Sequence, residues 1–412
     1  MTRLAALWLF LTACGSTVDS IGDDGTGPDA PDSSTLRPLQ RPASYPNAFR
    51  DVLGKTDTEI QSKLAAAFTR LFHGDPTTQA VYFTVGDDQA YIQDVLHGDV
   101  RTEGVGLGMM IALELDKREE FDKLWRFARS ALEYSSGPNR GYYRSSCGGG
   151  ADWSPCIDPF GHQTLIMALL LAHGRWTSRS GDIDYGSEML RLLQVMRSKE
   201  AENGGVVDGV VNMFDETAAL VLDAPSQASE GITPPSSVMP GYYELWAQAS
   251  ADPFWTQAAS TGRTLLEAAA QPTTGFLPLR ARFDGSAVAG SDTFQPEGYR
   301  AQLNMVIDQI WSGSDPWYSA EADKLLSFFS QQGLLTYCMS YSLDGATCIT
   351  VGQDPGLITV NGVTAIPATV PDRMAFIDAA WNVAPPDGAN RYYAGIIHLF
   401  SLLILSGELR VY

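Results

Sequence analysis

Beyond Tyr45, apolar residues recur at intervals of three and four rather than in alternation, which predicts a succession of amphipathic helices with few strands. Thr56, Asp57, Thr58 and Glu59 read as a capping box, after which Ile60, Leu64, Phe68 and Leu71 fall on one face until Gly74 stops the run. The same spacing predicts helices near 103–116, 118–133, 161–174, 185–198, 240–250, 253–270, 298–312, 317–332, 356–366, 371–383 and 390–406. About twelve helices joined by Gly, Pro and Asp turns call for a closed or layered all-α arrangement, because a four-helix bundle leaves most of them without a partner face. No fixed repeat length runs through them, so a solenoid is not indicated. Two long connections, 203–237 and 275–296, are rich in Gly, Pro, Ser and Asp, and on a helical scaffold such loops are expected to build a site.

The first 45 residues follow other rules. Arg3 precedes an apolar run, Leu4 to Leu11, too short to span a bilayer and shaped like an export signal covering residues 1–13. It closes on Leu11, Thr12, Ala13 and Cys14, which resembles the bacterial lipobox, so Cys14 is expected to carry a lipid. Residues 14–42 contain almost no large apolar side chain and read as an acidic flexible linker. Residues 43–412 form a single domain on this reading, exported and lipid-anchored at the cell envelope. Export makes disulfides the natural state of the two close pairs Cys147, Cys156 and Cys338, Cys348. Neither pair has C-x-x-C spacing and the five His lie scattered, so no metal site is expected.

A chain of 412 residues with 44% hydrophobic and 18% charged residues is an ordinary globular one, neither disordered nor a membrane bundle. Its net charge of −20 repels nucleic acid and anionic lipid, which leaves the lipid on Cys14 as the only membrane contact; a monomer is expected. Trp125, Trp176, Trp246 and Trp255 lie on or beside predicted helices at core spacing and are expected inside. No G-x-S-x-G elbow is present, which removes esterase chemistry.

The most unusual local sequence runs from Arg101 to Met110, where Gly104, Gly106 and Gly108 open an apolar helix. Each costs about 1 kcal/mol against alanine, so close packing or a close ligand must need the missing side chains. It is not a dinucleotide loop, since Glu103 lies where a pyrophosphate would sit. The stretch from Asp99 to Trp125, with Thr102, Glu103, Gly104, Gly108, Met109, Met110 and then Glu120, Phe121, Asp122, Leu124 and Trp125, resembles the signature of glycoside hydrolase family 8. Its nearest branch is that of reducing-end xylose-releasing exo-oligoxylanases. The likeness continues through Asp75, Pro76, Gly86 and Asp87, through Met167 to Trp176, and through Tyr299, Arg300, Asn304, Asp308 and Trp311.

The resemblance implies an (α/α)6 barrel with an acidic cleft, and hydrolysis of β-1,4-linked sugars, most closely xylo-oligosaccharides, with inversion and without a cofactor. Inversion needs two carboxyls about 6.5 to 9.5 Å apart, one protonated to assist the leaving oxygen and one ionised to activate water. Glu103 falls on the family's general acid. Glu297 falls where the family has an aspartate as general base, ahead of an aromatic and an arginine that are here Tyr299 and Arg300; the three are expected in the cleft. Where the family places a sugar-binding aspartate one residue before a glycine, this chain has Phe160 before Gly161, with Asp158 as the nearby acid. A cleft-closing loop with His and Pro in the exo-acting branch becomes Gln353, Asp354, Pro355, Gly356 and Leu357. These departures leave a second reading: an oligosaccharide-binding lipoprotein that keeps the barrel with impaired catalysis.

Overall fold

Among the described residues, twelve long helices divide into two classes by which of their faces are buried. The computed structural model describes residues 31–148, 157–176, 183–313 and 315–412. One class, α2 (Thr102–Glu114), α4 (Pro159–Arg175), α6 (Pro240–Ser250), α8 (Pro296–Ser312), α10 (Pro355–Thr364) and α12 (Arg391–Leu405), is buried on most or all sides. The other, α1 (Asp57–His73), α3 (Arg118–Phe127), α5 (Tyr185–Asn203), α7 (Pro253–Ala269), α9 (Trp317–Gln332) and α11 (Arg373–Asn382), buries one stripe and exposes the rest. A helix apolar all round belongs inside, and an amphipathic one outside. The contacts agree: α2 packs on α4, α6 on α8, α8 on α10, α10 on α12, and α12 back on α2. A short 3-10 turn, Pro235–Ser237, joins α4 to α8 where α6 stands off. Each inner helix carries an outer partner, and the first outer helix, α1, packs on the last inner one, so the ring of six hairpins closes on itself. Every predicted helix is present, with ends shifted by a few residues.

Sequence capping explains the helix starts. Thr56 and Glu59 make the reciprocal capping box of α1, and Asp158, Asp184, Asp252 and Asp354 cap α4, α5, α7 and α10 through their carboxylates. The glycines of α2 are explained by approach distances. A Cβ on Gly104 would lie 2.5 Å from the Tyr392 hydroxyl, one on Gly106 3.0 Å from Thr164 Cβ, and one on Gly108 2.9 Å from Ile92. Across the interface, a Cβ on Gly161 of α4 would stand 2.6 Å from the backbone nitrogen of Glu103. The two helices touch nearly backbone to backbone.

Except for 383–390, which leads into α12, connections into the inner helices are long and those leading out of them are short. The strands β1 (Tyr82–Val85), β2 (Gln89–Asp94), β3 (Asp99–Arg101) and β4 (Ser146–Gly148) form one antiparallel sheet in that order, with Arg101 opposite Ser146. Cys338 and Cys348 are joined across a hairpin. Cys147 is disulfide-bonded, whereas Cys14 and Cys156 lie outside the described residues. The end of the expected linker is docked: Ser33 Oγ donates to Asp184, the Arg37 amide to Ala249 O at 2.9 Å and the Gln40 amide to Gln248 at 2.9 Å. Leu36 and Leu39 also pack on the core, and two such side chains suffice to hold a short segment that composition alone assigns to the spacer. Trp125, Trp246 and Trp255 are buried as expected; Trp176 is partly buried, its ring 5.2 Å from that of Phe121.

Because the atoms nearest Gly161 are backbone, which cannot step aside, Gly161→Ala should destabilise the barrel by about 1 to 3 kcal/mol. Urea unfolding checks this, with a lowered midpoint and an unchanged slope.

Candidate active site

Five inner helices start on one cleft of about 930 Å³, contributing Glu103 from α2, the cap Asp158 from α4, Pro296 and Glu297 from α8, Asp354 and Pro355 from α10, and Tyr392 from α12. The first turn of a helix carries unpaired N–H groups and a partial positive charge, so acidic side chains collect there at little cost. Asp158 accepts from the amides of Phe160 and Gly161, each at 3.0 Å, and Asp354 from that of Gly356 at 2.6 Å.

Glu103 is largely enclosed, its side chain 14% exposed. Arg300 Nη1 donates to its Oε2 at 2.5 Å and the Tyr392 hydroxyl donates to Oε1 at 3.4 Å. Burial raises its pKa; Arg300 and Arg101 oppose the rise, Asp158 and Glu297 add to it, and the net direction is upward. Tyr392 is itself pushed up by burial and by the Glu103 charge, so it stays a phenol donor. Glu297 is exposed to the cleft one helical turn before Arg300. Residues so spaced have Cβ atoms about 5 to 6 Å apart, so the guanidinium that grips Glu103 stands beside Glu297. Tyr393 donates to Pro296 O at 3.0 Å and fixes the start of α8.

The structure thus brings Glu103, Glu297, Asp158 and Arg300 to one cleft and leaves Tyr299 out. Tyr299 is fully buried and donates to Met339 O at 2.7 Å. On a helix, a residue two positions after Glu297 and one before Arg300 does not share their face. The aromatics of the cleft are Tyr392 and Tyr393, which the sequence reading missed although two adjacent tyrosines opening a helix, shortly after Pro385 and Pro386, were a signal in plain view. Phe160 is buried, with the Arg300 guanidinium 4.1 Å above its ring.

The long loops 203–237 and 275–296 supply only Pro296 to the cleft. They pair with one another instead, Ile232–Thr233 against Ala281–Arg282, and lay their apolar residues on the barrel. The walls come from tethered turns. Asp94 binds His97 Nδ1 at 2.7 Å and Arg101 at 3.0 Å. Another wall segment, Pro385 to Asn390, is strapped down where Gly388 donates to Thr78 O at 2.8 Å and Arg391 to Ala80 O at 2.9 Å. Gln353 and Pro355 also line the cleft. No group of His, Cys, Asp and Glu among the described residues has the makings of a metal site.

Chemically, six carboxyls line the cleft, those of Asp94, Glu103, Asp158, Glu297, Asp354 and Asp387; burial biases Glu103 and the cap Asp354 toward their protonated forms, while Glu297 stays exposed. The sequence profile of glycosyl hydrolases family 8 matches residues 92–407. The chain belongs to that family. It is 31% identical over 379 residues to the reducing-end xylose-releasing exo-oligoxylanase of Paenibacillus barcinonensis, covering 90% of this chain and 97% of that protein. Its likeness to the reducing end xylose-releasing exo-oligoxylanase of Halalkalibacterium halodurans is 31% over 381 residues, covering 89% and 94%. A family 8 protein of Teredinibacter turnerae solved as a xylobiose complex superposes with a TM-score of 0.83 at 33% identity, covering 89% of this chain and 98% of that one. The family 8 barrel, an (α/α)6 fold, is therefore the architecture here, and the chain is a glycosidase acting on O-glycosyl bonds.

A buried acid with a raised pKa contributes stability that is complete below the ordinary glutamate range and is lost as pH rises through the raised value. The stability of the family 8 chain relative to its Glu103→Gln variant should therefore fall as pH rises from the mid-fours upward. Paired urea titrations across that range measure the difference; a flat or rising one contradicts the assignment.

Proposed function

We propose that this family 8 glycosidase hydrolyses β-1,4-linked xylo-oligosaccharides with inversion, Glu103 acting as general acid and Glu297 as general base. The observation that carries the reading is the unequal environment of two carboxyls in one cleft: Glu103 desolvated and biased to keep its proton, Glu297 open to solvent in the first turn of α8. Acid and base roles are separated in this way when environment pushes two like groups apart. Arg300 orients the Glu103 carboxylate, and Tyr392 holds its second oxygen. Asp158 lines the same cleft and is read as a sugar-binding group, two residues ahead of its expected place. Xylo-oligosaccharides are favoured because the relatives at 31% identity are xylose-releasing exo-oligoxylanases.

The geometry accommodates a glutamate as base. A first-turn side chain that is exposed has free rotamers, and one extra methylene lets its carboxylate extend over the cleft toward a water above the sugar. The binding-only alternative drew on the missing aspartate at Phe160; with Asp158 lining the cleft and the relatives being enzymes, nothing favours it.

Hydrolysis of xylotetraose followed by proton NMR should give the α-anomer first from the β-linkage, and a β-anomer first would remove Glu297 as the water-activating base. Glu103→Gln and Glu297→Gln should each lower kcat by roughly 10²- to 10⁴-fold, the range of a lost general acid or base. In the wild type, activity should decline on the alkaline side as Glu103 loses its proton, at a pH above the ordinary glutamate range.

A further inference from the structure

Arg300 is a buried cation with an unusual set of supports. Its Nη1 binds Glu103 at 2.5 Å, whereas its Nε, buried, has no hydrogen-bond partner among the described residues. A buried guanidinium is normally fixed in its plane by bidentate pairing with a carboxylate. Here its plane is fixed from below, since Cζ lies 4.1 Å from the centre of the Phe160 ring, well inside the range of a cation–π contact. The ring is itself immobilised. Phe160 is 4% exposed, its amide donates to Asp158 at 3.0 Å, and its carbonyl accepts from Thr164 Oγ1 at 2.8 Å. The next residue, Gly161, is the one on which a Cβ would meet the Glu103 backbone. Ring, guanidinium and acid are thus assembled at the tightest point of the α2–α4 contact.

We infer that Phe160 is a positioning residue: its ring face holds the Arg300 guanidinium on the Glu103 carboxylate, taking the place of a second carboxylate partner for the arginine. The advantage is electrostatic. Arg300 already faces Glu103, Asp158 and Glu297, together with Tyr393. Glu103 faces Arg101 at the end of β3, Asp158 on α4, Glu297 and Arg300 on α8, and Tyr392 and Tyr393 on α12. An acid at position 160 would add one more negative charge to this set and compete with Glu103 for the guanidinium. A ring fixes the cation without neutralising it, and leaves its full charge to restrain the proton affinity of Glu103. Phe160 touches no substrate on this account and acts through Arg300.

The inference rests on Glu103 being the general acid, and the test separates the two. Phe160 is replaced by a trifluorinated phenylalanine, which keeps the shape while depleting the ring face, and independently by leucine. The pH profile of kcat/KM on xylotetraose is measured for both, beside wild type and Glu103→Gln. Arg300 restrains the Glu103 pKa, so a loosened guanidinium should move the alkaline limb to higher pH, by about one unit. At neutral pH kcat/KM should fall about 10- to 30-fold, the kinetic equivalent of one desolvated cation–π contact. Should Phe160→Leu fail to fold, the isosteric fluorinated variant decides alone. An alkaline limb that stays in place in the folded fluorinated protein overturns the positioning role, because packing alone would lower activity without shifting the limb. A wild-type limb that survives Glu103→Gln removes the acid assignment, and the inference with it.

Discussion

The Arg300 guanidinium, set beside the carboxylates of Glu103, Asp158 and Glu297, gives this molecule its character. The inner helices bring five N-termini to one cleft, each carrying roughly half a positive charge, and that field favours acidic side chains at the rim. A helix terminus contributes about 0.3 to 1 kcal/mol to an exposed acid. Withdrawing a carboxylate from water costs several kcal/mol. The larger effect therefore decides at Glu103, which is enclosed, while the smaller decides at the rim, where Glu297 keeps access to solvent. Arg300 makes the enclosure tolerable without cancelling it: it pairs with Glu103, yet the net displacement of the acid remains upward.

Much of this was legible in the amino-acid order because helix periodicity and capping are local. Thr56 and Glu59 announced α1, and the aspartates at 158, 184, 252 and 354 mark helix starts that the structure realises through their side chains. The glycines of α2 were legible as a demand for room, though not as a demand made by Tyr392, Thr164 and Ile92, since nothing local says which distant residue will arrive. Glu103, Glu297, Asp158 and Arg300 were each identified before their meeting could be known. Tyr299 was misplaced because nearness in sequence was taken for nearness in space; on α8 a two-residue step turns a side chain away from the cleft and into the core.

The loops illustrate the complementary limit. Composition marked 203–237 and 275–296 as irregular, correctly, but irregularity says nothing of direction. Their apolar residues found partners in each other and on the barrel, as Phe214 does with Tyr243 and Trp255. The cleft was built from shorter turns whose backbone groups are tied down, so its walls stand on hydrogen bonds that only the closed ring makes available, such as that from Gly388 to Thr78 across the chain.

Fold and chemistry are consequently hard to separate here. The helix-opening glycines cost α2 about 1 kcal/mol each in intrinsic stability, and what offsets that cost is the packing of α2 onto α4 and α12, the same contacts that deliver Tyr392 to one oxygen of Glu103 and, through Gly161, bring Phe160 under Arg300. Loosening this seam to relieve strain would let water reach the acid and let the guanidinium tilt. Tightening it with added methyl groups would push Glu103 away from both partners. The separation of α2 and α4 is therefore the coordinate along which stability and the protonation of the acid are fixed together, and it is narrow because backbone, not flexible side chain, lies on both sides of it.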